Sequence, residues 1–376
     1  MHGNLPRHFT FLCEADRLKS VERANVLMDL SRPENSAEHS WHVALYAMVF
    51  GASDRAIAMT LLHDLVEIDT GDHPIHLSHD ASAVAQAEAR AAARLFGLAP
   101  DGEALHALWR EFEAAETPDA RMAKRMDHSQ PLFQVLMAGK PLPDHVAIVR
   151  DNMSGGRAAR LRREWPEAME AADALLDGQA LPGGDLAARL RFLTEADLLK
   201  SVHRANTLID ASRRENSGEH SWHLALYALV LGGYAGAGVD PGRVIRMLLL
   251  HDLVEIDTGD VPLHSAGGQA HHSAAVQAAE TAAAERIFGL LPVSQAAEFL
   301  SLWREFEAVE TPDAIFAKAL DRCQPAIQNL RSGGAGWVEY DVTLADIEAR
   351  VGPWVEQGAP EIWNWLWQEL RHHFAE

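Results

Sequence analysis

The chain has 376 residues, room for two good cores, with 48% apolar residues and a formal net charge of −21. So acidic a surface repels nucleic-acid polymers and anionic membranes, and leaves a small anionic substrate whose charge a bound cation and a few Arg or Lys would offset. No apolar run is long enough to cross a bilayer, the N-terminal stretch has no signal core, and Cys13 and Cys323 fall at unmatched places, so a cytoplasmic protein with reduced thiols is expected.

Hydrophobic spacing between Gly and Pro breakers predicts helices over 8–22, 36–50, 54–68, 80–97, 101–116, 118–138 and 160–177. It then predicts helices over 186–203, 217–232, 240–256, 268–288, 294–310, 312–331, 343–351 and 359–373. Ser36 and Ser217 read as N-caps with Glu38 and Glu219 in the first turn. Thr117 and Thr311 read as caps before a Pro at the first helical position. No stretch alternates with period two, so the fold class is all-α.

The same text is printed twice. Phe9–Phe50 aligns without gaps on Leu190–Leu231, with 29 of 42 positions identical. LLHDLVEIDTGD at Leu61 returns unchanged at Leu249, and LWREFEA-ETPDA at Leu108 returns at Leu302. This is duplication of a whole domain. The Pro/Gly-rich Asp177–Asp185 places the boundary, giving residues 1–180 and 181–376. In copy one Gly139–Met153 replaces the longer Gly333–Gly352. Copy two ends in a Trp-rich helix (Trp354, Trp363, Trp365, Trp367), read as core or inter-domain packing.

His39, His63, Asp64 and Asp127 recur as His220, His251, Asp252 and Asp321. Two imidazoles and two carboxylates on three helices suit one divalent ion with positions left for water. Adjacent His and Asp can share an ion only at a helix end. On spacing alone, a metal site and a set of satisfied core histidines stay open alternatives. Glu67 and Glu255 follow each HD histidine by four residues and read as a general acid or base, or as helix-end charges. Asp72 and Asp260 read as substrate contacts or turn residues. Arg23, Arg32, Arg204 and Arg213 read as anion binders or as salt-bridge residues, and Lys124 and Lys318 as phosphate contacts or neutralisers of the acidic cluster. His42 and His223 read as packing or ligand-supporting groups. Of the remaining histidines only His76 and His264 match; His271 and His272 have no counterpart.

The ordered set His39…His63-Asp64…Asp127, with its second copy, resembles the H…HD…D signature of HD-domain metal-dependent phosphohydrolases. The surrounding LK-V-R, SR-ENS-EH, HD--E---GD and AK--D--QP are similar to the branch of the 5′-deoxynucleotidases and HD-domain-containing protein 2. The resemblance covers nearly all of copy two and copy one to about residue 138. It implies two tandem helical HD bundles, packed as an internal pseudo-dimer with further oligomerisation open. It implies one divalent ion per domain (Mn, Co, Mg, Zn, Ni or Fe), held by the eight residues above. It implies hydrolysis of a small phosphomonoester, a nucleoside 5′-monophosphate above all, by attack of a metal-bound water. Glu67 and Glu255 would serve that water or the leaving oxygen, Asp72 and Asp260 would help place substrate, and Arg23 and Arg204 match the family's phosphate-binding Arg. The branch carries a Trp close after that Arg. Ala24-Asn25 and Ala205-Asn206 stand here instead, which leaves a deoxyribose preference open. His128 stands where copy two has Arg322, and with the shortened tail this marks copy one as the candidate for a weakened site. The alternative is a nucleotide- or metal-binding regulatory protein with one or both sites inactive. A two-iron HD oxygenase is disfavoured, because it would need further repeated histidines.

Overall fold

The computed structural model describes residues 4–74, 76, 77, 79–263 and 273–375. The first half runs through α1 (Leu5–Ala15), a 3-10 turn (Asp16–Ser20), β1 (Glu22–Val26), β2 (Pro33–Asn35), α2 (Ser36–Val49), α3 (Asp54–Leu62) and α4 (Glu67–Thr70). It continues with α5 (Ala81–Phe96), α6 (Gly102–Ala114), α7 (Pro118–Met137), α8 (Pro143–Asn152), α9 (Gly156–Glu164) and α10 (Pro166–Leu176). The second half repeats the order as α11 (Asp185–Asp197), a 3-10 turn (Leu198–Ser201), β3 (His203–Thr207), β4 (Arg214–Asn216), α12 (Ser217–Leu231), α13 (Pro241–Leu250) and α14 (Glu255–Thr258). Then come α15 (Ala274–Phe288), α16 (Val293–Ala308), α17 (Pro312–Arg331), α18 (Ala335–Glu339), α19 (Leu344–Arg350), α20 (Gly352–Gly358) and α21 (Pro360–His373).

The helical expectation holds with local corrections. The helices expected over 8–22 and 186–203 end at Ala15 and Asp197, and the chain then makes two small antiparallel hairpins, β1–β2 and β3–β4. Strands of three to five residues are too short for alternation to show. The caps of α2 and α12 are Asn35 and Asn216, one residue before the expected serines. Each amide oxygen accepts from the backbone N–H of Glu38 or Glu219, whose carboxylate in turn accepts from the cap's own N–H. Thr117 and Thr311 cap α7 and α17 as expected. The expected start of α15 at residue 268 lies outside the described residues.

Every residue of α2 is buried, polar ones included, and α12 is nearly the same. A helix without a solvent face belongs at the centre of its fold. Here α2 and α12 pack on each other, and apolar side chains of both halves share one large core, with a small separate cluster at Ala158, Leu161 and Met169. The crossing contacts are reciprocal. Trp41 Nε1 donates to the Leu249 carbonyl at 3.2 Å and Trp222 Nε1 to that of Leu61 at 3.1 Å. Asn35 Nδ2 donates to Glu219 at 2.8 Å and Asn216 Nδ2 to Glu38 at 2.6 Å. Trp365 stacks on Phe9 with ring centres 4.3 Å apart, so part of the Trp-rich end does pack across the halves. No helix among the described residues is long and apolar enough to cross a membrane.

Candidate metal centre

The apolar α3 ends at Leu62, and His63 is its C-cap. A turn over residues 63–66 then lets neighbouring side chains converge. His63 Nε2 lies 3.2 Å from Asp64 Oδ1 and 3.6 Å from Asp127 Oδ1. His39, from α2, brings Nε2 to 3.2 Å from Asp127 Oδ1 and 3.8 Å from Asp64 Oδ2. In copy two His251 Nε2 lies 3.0 Å from Asp252 Oδ1 and 3.9 Å from Asp321 Oδ1, and His220 Nε2 lies 3.5 and 3.9 Å from Asp321 and Asp252. The structure thus brings all eight expected ligands into two clusters.

The donor chemistry fits a cation. Donors about 2.1 Å from a shared ion stand roughly 3.0–3.4 Å from one another, close to the separations here. His63 Nδ1 donates to the Thr60 carbonyl at 2.8 Å and His251 Nδ1 to that of Leu248 at 2.9 Å. This fixes the tautomer and leaves each Nε2 a lone pair facing carboxylates. The Nε2 atoms of His63, His220 and His251 are buried without a hydrogen-bond partner. Lone pairs crowded against carboxylates need a cation or a proton between them. Without an ion, a proton takes part of that role: burial would lower His39, but Asp127, Glu34 and Asp64 hold it up at about 9. Burial would likewise raise Asp127, yet His39 and His63 hold it well below the usual carboxylate range.

Around each cluster sits an ionic rim. Arg23 Nη1 is 2.9 Å from Asp64 and 3.6 Å from both Glu67 and Asp72; Arg204 Nη1 is 2.7 Å from Asp252, 3.6 Å from Glu255 and 3.8 Å from Asp260. Gly71 and Gly259, at φ 72° and 71°, end α4 and α14 and carry Asp72 and Asp260 back to this rim, where they accept from the N–H of Ala24 and Ala205. Ser36 and Ser217 donate to Glu67 and Glu255. Burial first, then Asp64, pushes Glu67 up to about 8, and burial with Asp252 pushes Glu255 well above its usual range. The direction is the same in both copies and favours the protonated carboxyl.

Arg32 and Arg213 do not join the clusters. They pair with Glu38 and Glu219 and donate to the Lys200 and Lys19 carbonyls of the other half, at 2.8 and 2.6 Å. Of the two readings, the structure shows the salt bridge, made with the carboxylates that complete the capping boxes of α2 and α12. Lys124 lies over the Phe112 ring and bonds Glu113 at 2.8 Å, while Lys318 lies over Phe306, 3.9 Å from Asp321. A cavity of about 250 Å³ opens beside the copy-two cluster, lined by Arg204, Glu255, Asp260, Lys318, Asn206, Trp337, Tyr340 and Trp354. Trp354, expected in packing, faces this cavity. His264, His271 and His272 lie outside the described residues.

Sequence reasoning missed Glu34, Glu215, Gln130 and Gln324, all fully buried. His39 Nδ1 lies 2.9 Å from Gln130 Oε1 and 3.6 Å from Glu34 Oε2, and His220 Nδ1 lies 3.2 Å from Glu215 Oε2. Their signal was available: each lies in text repeated between the copies.

A family model described as "HD domain" matches residues 15–169 and again 196–363. The 5′-deoxynucleotidase HDDC2 of Mus musculus is 30% identical over 147 residues, 39% of this chain and 70% of that protein. The protein of the same name from Homo sapiens is 29% identical over 141 residues, 37% of this chain and 65% of that one. A solved structure of a predicted metal-dependent phosphohydrolase from Magnetospirillum magnetotacticum is 43% identical, spans 50% of this chain and 95% of that one, and superposes with a TM-score of 0.47.

Proposed function

The chain belongs to the HD-domain family, matched in both halves, and on that premise we propose that it is a metal-dependent phosphohydrolase releasing phosphate from a nucleoside 5′-monophosphate. The observation that carries this reading is the set of buried, unpartnered Nε2 atoms turned toward paired carboxylates in each half. His39, His63, Asp64 and Asp127 would hold one ion, and His220, His251, Asp252 and Asp321 a second. Such an ion, when bound, supplies Lewis-acid polarisation of a phosphoryl oxygen and of the attacking water.

The chain's own groups do the rest. Arg23 and Arg204 present a cation to the phosphoryl oxygens, where charge builds in the transition state. Glu67 and Glu255 keep a proton on their carboxyls for delivery to the leaving oxygen. Asp72 and Asp260, anchored on backbone N–H groups, are placed to accept a sugar hydroxyl. Asn206, Trp337 and Tyr340 line the copy-two cavity with a hydrogen-bonding and aromatic wall, which suits a nucleoside. The relatives named 5′-deoxynucleotidase favour this substrate class. The two halves, each a unit bounded near residue 180, act as an internal pseudo-dimer.

Phosphate release by chelator-treated protein from a panel of nucleoside 5′-monophosphates, with Mn²⁺, Co²⁺ or Mg²⁺ restored, tests the proposal. Metal-dependent release supports it. Nucleotide binding without release under every metal would favour the regulatory reading.

A further inference from the structure

Two buried lysines have no part in the scheme above. Lys19 and Lys200 are fully buried, at 1% and 0% exposure, where an ammonium survives only if densely paired. Lys19 Nζ bonds Asp16 of its own half, then crosses to Glu215 at 2.6 Å and His223 Nδ1 at 3.0 Å. Lys200 Nζ bonds Asp197, then crosses to Glu34 at 2.7 Å and His42 Nδ1 at 3.0 Å. The groups Asp16–Glu215–His223 and Glu34–His42–Asp197 have the composition of metal sites. The ammonium already sits among their ligand atoms, so they are lysine cradles.

Each cradle ends on a candidate ligand of the opposite metal centre. The second oxygen of Glu215 is 3.2 Å from His220 Nδ1, and Gln324 and Gln328 fix its first oxygen beside Lys19 at 3.2 and 2.8 Å. In the other half Gln130 donates to Glu34 at 3.3 Å, and the Gln130 oxygen lies 2.9 Å from His39 Nδ1. A carboxylate or amide behind a ligating imidazole orients the ring and makes its far nitrogen a stronger donor. In copy two that supporting group is Glu215, held by Lys19; in copy one it is Gln130, which bonds Glu34, held in turn by Lys200.

We infer that Lys19 is a positioning residue for the copy-two metal centre and Lys200 for the copy-one centre, so that neither centre is complete without the other half. This rests on the metal-site reading above and extends it: each copy carries the same lysine and uses it on the other copy's centre.

The test reads metal affinity in the full chain, by calorimetry with Mn²⁺ and by the visible spectrum of Co²⁺. His63→Ala leaves copy two as the working site, and His251→Ala leaves copy one. In the His63→Ala background, Lys19→Met is expected to weaken metal binding about 10- to 100-fold, the loss typical when the support behind a ligating His is removed. In the His251→Ala background the same substitution leaves affinity unchanged, and Lys200→Met gives the reverse pattern. With Glu215→Gln already present, Lys19→Met has little further effect. Loss of affinity in the lysine's own half, or in neither half, overturns the inference. If Lys19→Met does not fold, the charge-compensated pair Lys19→Met with Asp16→Asn replaces it under the same two outcomes. No metal binding by the unmutated chain overturns the inference and the metal-site reading together. Metal binding with the crossed pattern, but no phosphate release, overturns the proposed activity alone.

Discussion

Asn35 performs two jobs, and removing it measures how tightly the halves are tied. Its side-chain oxygen caps α2 by accepting from Glu38 N–H at 3.0 Å, and its Nδ2 donates across the seam to Glu219 at 2.8 Å. Glu219 is fully buried, so the lost donor is not replaced by water. Losing the cap costs about 1 kcal/mol. Losing a hydrogen bond to a buried charged partner costs about 1.5–3 kcal/mol. Asn35→Ala is therefore expected to lose about 2.5–4 kcal/mol of unfolding free energy. Asn35→Ser retains a good cap and removes only the bridge, so it should lose about 1.5–3 kcal/mol, leaving the two variants separated by the cap. Urea unfolding followed by tryptophan fluorescence reports both, since Trp41 and Trp222 lie on the same seam. The expected change is in the midpoint at constant slope. If Asn35→Ser unfolds with the unmutated protein, the seam bond carries no stability and the reasoning fails.

Three further outcomes follow from the same geometry. Metal content of the purified, reloaded chain should be two ions for the unmutated protein, one for His63→Ala or His251→Ala, and none for the double variant; unchanged stoichiometry in the double variant removes these residues as ligands. Arg204→Gln in the His63→Ala background should lower kcat/KM for phosphate release about 10²–10³-fold, the usual loss when one preorganised donor to the transition state is removed, and unchanged kinetics would take Arg204 out of the site. Burial would raise Glu34 and Glu215, but Lys200 and Lys19 hold them well below their ordinary value of 4.5. Their contribution to stability is thus fully present above pH 4.5 and is lost as pH falls below it. Glu34→Gln with Glu215→Gln should be less stable at neutral pH and show a flatter acid limb in thermal unfolding; an unchanged acid limb would contradict the pairing.

What was legible in the sequence was local or duplicated. The eight candidate ligands stood out because unusual residues recur in order, and the long helices because their periodicity runs over several turns. The hairpins were hidden by their length, and α8, α18 and α20 by their breakers or brevity. Choosing Ser36 over Asn35 as cap was an error of one residue between two equally good capping types. For Arg32 and Arg213 the residue pattern left anion binding and a salt bridge open, because the partners that decide between them, Glu38 and the Lys200 carbonyl for Arg32, combine a helix cap with a contact from the other half. Lys19 shows the same limit most clearly. Its partner Glu215 lies 196 positions away, and no periodicity or motif spacing encodes a contact that forms only when two copies of a domain meet.

The central claim is tested most directly by phosphate release from a nucleoside 5′-monophosphate by the unmutated chain, His63→Ala, His251→Ala and the double variant, each with saturating Mn²⁺ or Co²⁺. Release that needs the metal, falls in each single variant and vanishes in the double variant is the predicted result. Release that persists in the double variant, or is absent from the unmutated chain with every metal, contradicts it.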